Sequence, residues 1–374
     1  MKILQIGKFY PIRGGVEKVM LDLTQGLSAR GFDVDMMAAS ADGREGTERL
    51  SDHGRVIVTR TVTKAKSTMI SPDMATTLRR VADDYDLIHI HHPDPMAALA
   101  LRLSGYQGPV VLHWHADILR QRMLLQAYRP LQHWIRGRAD LIVTTSPHYL
   151  EGSPWLQSFR TKTAVLPIGV DAVNADGDAV GRLRALAKGR RTVFSVGRLV
   201  PYKGFDVLIR AARELPDDYL VVIAGEGELR PELEALIAEL GLADKVWLTG
   251  RISDAERDAW MFAADVFCLP SVERTEAFGI VLIEAMSAGL PLVATEIPGS
   301  GTWWVNAHGD SGLNVPIHDH SAMARAILDI TSDPQTHAAF RRHARRRWEE
   351  VFTSAGMIDN CLSLYRRLID IPNT

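Results

Sequence analysis

Two carboxylates with seven residues between them bracket an apolar run, Glu276-Ala277-Phe278-Gly279-Ile280-Val281-Leu282-Ile283-Glu284. Gly279 is placed to open a helix. The helix's first N–H groups, at Gly279, Ile280 and Val281, would then stand beside Glu276 without intrahelical partners, an arrangement that favours an anion. Glu284 falls more than one turn inside that helix. Acids in such apolar company need polar partners, and sugar or ribose hydroxyls suit them; two solvated surface acids are the plainer alternative. A second group is Gly197-Arg198-Leu199-Val200-Pro201-Tyr202-Lys203-Gly204. Here a forked guanidinium and a compact ammonium follow a short apolar run, which suits a diphosphate, although solvated loop cations read the same way.

Two further groups carry weaker signals. Gly14-Gly15 stands directly before a helical pattern and lets backbone N–H groups approach an anion. Turns use this pair constantly, and neither a G-x-G-x-x-G spacing nor a Walker A motif is present. His113-Trp114-His115-Ala116-Asp117 ends another apolar run. Histidines there can bind metal, act as acids or hydrogen-bond a substrate, and alternate residues put His113 and His115 on one face. With no H-E-x-x-H and no convincing D-x-D, no metal is expected. His89, His91 and His92 read as strand packing.

These groups need strands and helices to hold them. Strands are expected at Lys2–Gly7, Phe32–Ala39, Arg55–Thr61, Leu87–His91, Pro109–His113, Asp140–Thr145 and Thr163–Leu166. Helical spacing appears at Val16–Leu27, Pro72–Asp84 and Pro95–Ser104, and Pro167 with Gly169 marks a break. A second series runs through strands Thr192–Val196, Tyr219–Ala224, Lys245–Thr249, Asp265–Leu269 and Pro291–Ala294. Its helices are Phe205–Glu214, Pro231–Leu240, Asp254–Ala263 and Gly279–Ala288, and helices fill Ser321–Asp370. Two alternating series predict two parallel, doubly wound sheets, with ligands at the carboxyl ends of strands and a cleft between the halves as the default site.

Composition agrees with two soluble domains in a 374-residue chain: 46% apolar and 24% charged residues exclude a disordered chain. With 43 Lys and Arg against 45 Asp and Glu there is no basic excess of the kind a dedicated nucleic-acid binder carries. Cys268 and Cys361 form no CxxC or Cys/His cluster, which excludes a disulfide scaffold. The longest apolar stretches fall well short of the ~20 residues of a spanning helix, and no signal peptide is expected. Charge is uneven. Residues 1–168 hold 21 cations against 16 acids, net +5, and the remainder 22 against 29, net −7. Ile118–Ala139 carries Arg120, Arg122, Arg129, Arg136 and Arg138 with no acid, and its apolar residues recur at three- and four-residue steps. It reads as a basic amphipathic helix, either a solvated face or a dock for an anionic membrane.

Together these residues resemble the retaining glycosyltransferases of family 4, with the GT-B fold, over nearly the whole chain. The most specific part is TEAFGIVLIEAMSAGLPLVAT (Thr275–Thr295), similar to that family's E-x7-E signature. GRLVPYKG (Gly197–Gly204), AGEGELRPEL (Ala224–Leu233) and PIGVD (Pro167–Asp171) agree in order and spacing. The resemblance implies two facing Rossmann-like domains. Residues 1–168 with 354–374 form the acceptor side, the last helix crossing back, and residues 169–353 bind the donor. It implies that Arg198 and Lys203 hold the donor diphosphate, that Glu284 binds the ribose and that Glu276 binds the hexose. His115 contacts the donor sugar, Gly14 and Gly15 lie near the diphosphate, and the Arg251–Ser253 loop lies by the base. Phe278, Gly279 and Ile280 complete the donor contacts, and the catalytic set is His115, Glu276, Arg198 and Lys203.

A double displacement needs a carboxylate nucleophile, but both E-x7-E acids look committed to the donor, so the resemblance implies front-face substitution. No cofactor or metal is expected beyond the donor nucleotide sugar. Pro298–Pro316 is similar to mannosyltransferases of bacterial surface-polysaccharide assembly, which favours GDP-mannose, with UDP-sugars as the alternative. The basic helix suits a polyprenyl-diphosphate-linked glycan acceptor and a cytoplasmic protein peripheral on the inner face of the membrane; no nucleic-acid partner is expected. The rivals are a nucleotide-sugar epimerase and a non-catalytic nucleotide-sugar binder.

Overall fold

A computed structural model of the chain describes residues 1–12, 14–65, 68–118 and 122–369. The chain divides into two compact units, Met1–Ile168 with Ser354–Thr374, and Gly169–Thr353.

The first unit contains β1 (Lys2–Tyr10), β2 (Asp33–Ser40), β3 (Gly46–Ser51), β4 (Gly54–Thr59), a small hairpin of β5 (Thr63–Ala65) and β6 (Thr68–Ile70), β7 (Leu87–His92), β8 (Val110–Trp114), β9 (Leu141–Thr144) and β10 (Thr163–Val165). The large sheet has the order β10-β9-β8-β7-β1-β2-β4-β3. All of its pairs are parallel except β3 with β4. This departs from the purely parallel sheet expected. The polar, exposed segment Gly46–Ser51 folds back as an edge strand, and no apolar alternation announces it. Ile3, Leu4, Ile6, Val34, Met36, Leu87, Ile88, Val110 and Leu112 are fully buried. At about 1.5–3 kcal/mol per buried aliphatic side chain, these central strands supply much of the unit's stability. Helix Ser354–Ile369 returns to this unit, where Arg30 Nε donates to Asp359 at 2.9 Å.

The second unit contains β11 (Arg191–Val196), β12 (Tyr219–Ala224), β13 (Val246–Gly250), β14 (Val266–Leu269), β15 (Leu292–Glu296) and β16 (Gly312–Pro316). Its sheet has the order β13-β12-β11-β14-β15-β16, parallel throughout. β12 is buried along its whole length, as a strand covered on both faces must be. Sequence reading missed β16, whose Asn314 and terminal Pro316 break the apolar run. It also missed helix Gly177–Leu186, which buries no residue and is held at its start by the Asp176 cap.

In each sheet the chain winds outward in two directions from one pair of neighbours. That pair is β1 and β7 in the first unit, β11 and β14 in the second. The loops leaving such a pair diverge and open a crevice at the strands' carboxyl ends.

Candidate functional site

In the second unit the crevice loops are Gly197–Gly204 after β11 and Pro270–Gly279 after β14, so strand order alone brings the two cation and carboxylate groups together. Lys203 Nζ donates to Glu276 Oε2 at 2.5 Å, and Ser271 Oγ donates to the same oxygen at 3.1 Å. Both charged side chains are largely buried, 12% and 14% exposed, so their attraction is screened less than a surface pair's. The loops are also joined through the backbone, Val272 N donating to Tyr202 O at 2.8 Å. Gly204 permits this approach. Its φ is +63°, and a Cβ there would lie 2.2 Å from the Pro270 carbonyl oxygen. Arg198 is exposed on the same loop and donates to the Tyr202 hydroxyl at 3.3 Å.

Gly279 caps helix Ile280–Ser287. The early N–H groups of this helix, Ile280 among them, have no intrahelical partner, and the helix's positive end lies just past Glu276 in the chain. Glu284, in the second turn, has Arg257 Nη1 3.8 Å from its Oε1. Arg251 is exposed at the start of the loop after β13, where Ser253 Oγ accepts from Glu256 N to cap the next helix. Sequence reading missed Ser271 and Arg257. Arg257 lies 27 positions before Glu284, and no local pattern links them.

In the first unit the crevice between β1 and β7 receives Gly14-Gly15 and the ends of β7 and β8. Gly15 begins helix Gly15–Ser28 with Gly14 as its cap, and a Cβ on Gly14 would lie 2.7 Å from Glu17 Oε2. Burial raises the Glu17 carboxyl, opposed by the nearby Lys8 ammonium. Lys8 also acts on Asp94, whose carboxylate caps helix Pro95–Ser104 by accepting from Met96 N and Ala97 N. Lys8 lies on the extension of β1 past Gly7, where sequence reading had ended the strand.

The histidines are closer together than their sequence positions suggest. Parallel register sets His91 beside His113, and period-two alternation adds His89 and His115 to the same face. Ring centroids are 3.9 Å apart for His113–His115 and 4.7 Å for His89–His91. His92 packs as expected, stacked on Trp114 at 3.7 Å. His91 does more than pack: its Nδ1 lies 2.9 Å from His115 Nε2. Burial holds all four imidazoles of this face well below their ordinary pKa, so they are neutral at physiological pH. Asp117 steadies the segment after His115, accepting from Trp114 Nε1 at 2.7 Å and Ser153 Oγ at 2.9 Å. Among the described residues, His89, His91 and His113 bring ring nitrogens within 4.8 Å of one another, close enough to share a metal ion. The set fits a cation poorly. His91 spends both nitrogens on hydrogen bonds, His89 spends one, and no carboxylate joins them to offset a buried dication.

Residues 13–173 match the family model "Glycosyltransferase Family 4", and residues 183–347 match "Glycosyl transferases group 1". The chain is 33% identical to the Escherichia coli O-antigen chain mannosyltransferase C over 99% of both chains. The chain belongs to the family 4 glycosyltransferases. It is also 34% identical to the D-rhamnosyltransferase WbpZ of Pseudomonas aeruginosa, over 95% of this chain and 93% of that one. A crystal structure of the Anabaena protein HepE in complex with UDP shares the fold, with a TM-score of 0.81 at 23% identity, covering 98% and 100% of the two chains. The two Rossmann-like units are those of the GT-B fold.

For this glycosyltransferase the structure adds detail to the sequence reading at three places. Phe278 has its ring in the core, 4% exposed and edge-on to Phe352 at 6.1 Å, so only its backbone is left for a ligand. The Pro298–Pro316 stretch buttresses the acid. Ser300 Oγ donates to the Glu276 carbonyl at 2.5 Å, and Gly301 N donates to Ala277 O at 2.8 Å. The basic helix, Arg122–Arg138, spends part of its charge internally. Arg136 is buried and donates to the Gln132 and Trp155 carbonyls, and Arg138 donates to the Tyr106 and Gly108 carbonyls. Arg129 is exposed over the Trp155 ring, while Arg120 and the side chain of Arg122 lie outside the described residues.

Proposed function

We propose that this glycosyltransferase transfers mannose from GDP-mannose, with retention of configuration, to a lipid-linked glycan in bacterial surface-polysaccharide assembly. The observation that carries the reading is the Lys203–Glu276 pair. One group suits a phosphate and the other sugar hydroxyls, 2.5 Å apart at the strand ends. The whole-length similarity to an O-antigen mannosyltransferase supports the sugar and the pathway class. The similarity to a D-rhamnosyltransferase stays within that series, since D-rhamnose is 6-deoxymannose.

In this reading Arg198 and Lys203 take the diphosphate with the amino end of helix Ile280–Ser287, Glu276 binds the hexose, Glu284 the ribose, and His115 a sugar hydroxyl. The acceptor hydroxyl attacks C1 on the face from which the diphosphate departs. The C1–O bond to phosphate breaks, and the acceptor proton passes to the departing diphosphate oxygen. Both E-x7-E acids already have cationic partners in the protein, which supports donor binding over a role as nucleophile. Catalysis then rests on positioning and on neutralising the leaving group. Purified protein is to be mixed with a panel of nucleotide sugars, with and without a membrane lipid extract. Acceptor-dependent release of GDP is the expected result; an epimerised donor would replace this reading with the epimerase.

The base is tested separately. A ligand at 100 times its Kd stabilises the folded state by about 2.7 kcal/mol. GDP is therefore expected to raise the melting temperature more than UDP at equal concentration. An equal or larger shift with UDP overturns the guanine assignment.

Among the described residues no helix is long and apolar enough to cross a membrane. Membrane contact in this reading falls to the remaining arginines of the basic segment, the exposed Arg129 among them, because Arg136 and Arg138 donate to main-chain carbonyls. Co-sedimentation with anionic vesicles is expected at low salt and release at high salt, since the Debye length is only about 10 Å at 0.1 M. Arg122→Glu with Arg129→Glu is expected to abolish it while leaving GDP binding unchanged. A wild-type protein that ignores anionic vesicles leaves the helix as a solvated face.

A further inference from the structure

A chain of side-chain hydrogen bonds leads from His115 into the core of the first unit. His115 Nε2 lies 2.9 Å from His91 Nδ1, and His91 Nε2 lies 2.7 Å from Gln5 Oε1. Gln5 Nε2 donates to the Tyr365 hydroxyl at 3.1 Å, and that hydroxyl lies 2.5 Å from His89 Nδ1. Gln5, His89, His91 and Tyr365 are fully buried and His115 is 4% exposed. Water does not compete for these bonds, and a wrongly pointed donor has nowhere else to go.

The chemistry of the groups sets the direction. An amide oxygen only accepts, so His91 Nε2 carries a hydrogen and donates to Gln5. A neutral imidazole has one donor and one acceptor nitrogen, so His91 Nδ1 is the acceptor. His115 must then donate from Nε2, which leaves a lone pair on its Nδ1. At the far end Gln5 gives its amide hydrogen to Tyr365, whose hydroxyl also meets His89 Nδ1 and the Cys361 thiol.

We propose that Gln5, His91 and Tyr365 are positioning residues that hold His115 as its Nε2–H tautomer, so that Nδ1 accepts a hydrogen bond from a hydroxyl of the transferred sugar. The proposal rests on the assignment of His115 to the sugar. Tyr365 belongs to helix Ser354–Ile369, so the wire is complete only when the last helix of the chain is docked on this sheet.

The direct test uses the full-length protein with 15N-labelled histidine and long-range 1H–15N spectra, the His115 ring being identified by its loss in His115→Gln. The Nε2–H tautomer is expected in the wild type, with conversion or mixing in Gln5→Leu. An Nδ1–H tautomer in the wild type overturns the proposal and needs no variant to fold. Kinetics give a second readout. His91→Phe is expected to lower kcat about 10²-fold, as misplacement of a contacting group does, with the KM for donor close to wild type and a lower melting temperature, because Gln5 Oε1 is left buried without a donor. His91→Asn, whose Oδ1 accepts from His115 Nε2, is expected to recover most of that loss. A merely structural role would lower kcat only as far as the folded fraction falls and give no recovery in Asn, and that pattern also overturns the proposal. Wild-type kcat in His115→Ala would remove the sugar assignment and the wire with it. An inactive His115→Ala beside a fully active His91→Phe would remove the wire alone.

Discussion

Lys203→Ala is expected to fold normally and to lose about 10²–10³-fold in kcat, the usual consequence of deleting one preorganised donor aimed at developing charge. The residue is on a short turn, Pro201–Lys203, and contributes its ammonium rather than core area. Its partner Glu276 keeps the Ser271 hydroxyl, so the fold loses one ion pair and no packing layer. In the proposed mechanism what disappears is a cation whose contact with the diphosphate strengthens as the C1–O bond breaks, so kcat is expected to fall more than donor affinity. Nucleotide release at saturating donor, with a melting curve to confirm folding, decides the matter. Near wild-type turnover in a folded Lys203→Ala would sink the phosphate assignment.

Glu276→Gln is expected to move two quantities in opposite directions. The Glu276 carboxylate lies 2.5 Å from the Lys203 ammonium, so in the proposed binding mode an incoming diphosphate competes with it for that cation. Glutamine keeps the shape and removes the charge. GDP, which has no hexose to lose contact with, then meets an unopposed cation and is expected to bind about tenfold tighter, or ~1.4 kcal/mol. Turnover is expected to fall about 10²–10³-fold, because the hexose loses a charged acceptor that orients it in the transition state. A variant that is only destabilised weakens both. Calorimetric titration with GDP and a turnover assay on the same preparation suffice, and unchanged GDP affinity would show that the pair does not oppose the donor.

The site's ingredients were legible locally because turn and strand chemistry is local. Glu276 and Glu284 stood out as acids in apolar company, while Gly14-Gly15 and the pair Arg198 and Lys203 read equally well as an ordinary turn and as solvated loop cations. Their supports were not legible. Ser300 and Gly301 lie in a stretch noted only for its similarity to mannosyltransferases, and they hold the backbone of Glu276 and Ala277. Arg136 and Arg138 read as arginines of either a solvated face or a membrane dock, and they satisfy main-chain carbonyls. A cation's sequence context does not show whether its guanidinium ends in water or against a carbonyl; only the surrounding chain does.

The sequence by itself determined the two alternating strand–helix series, since apolar periodicity and helix-breaking residues act over one element at a time. It also determined that His89 with His91, and His113 with His115, share faces, because side chains alternate along any strand. Tertiary structure decided which strands lie side by side. Setting β11 next to β14 brings Lys203 to Glu276 across 73 positions, and the register of β1, β7 and β8 joins Gln5, His91 and His115 into one wire closed by Tyr365. Strand order follows from how all the apolar faces of a unit are buried at once, a condition on the whole unit that no local spacing encodes.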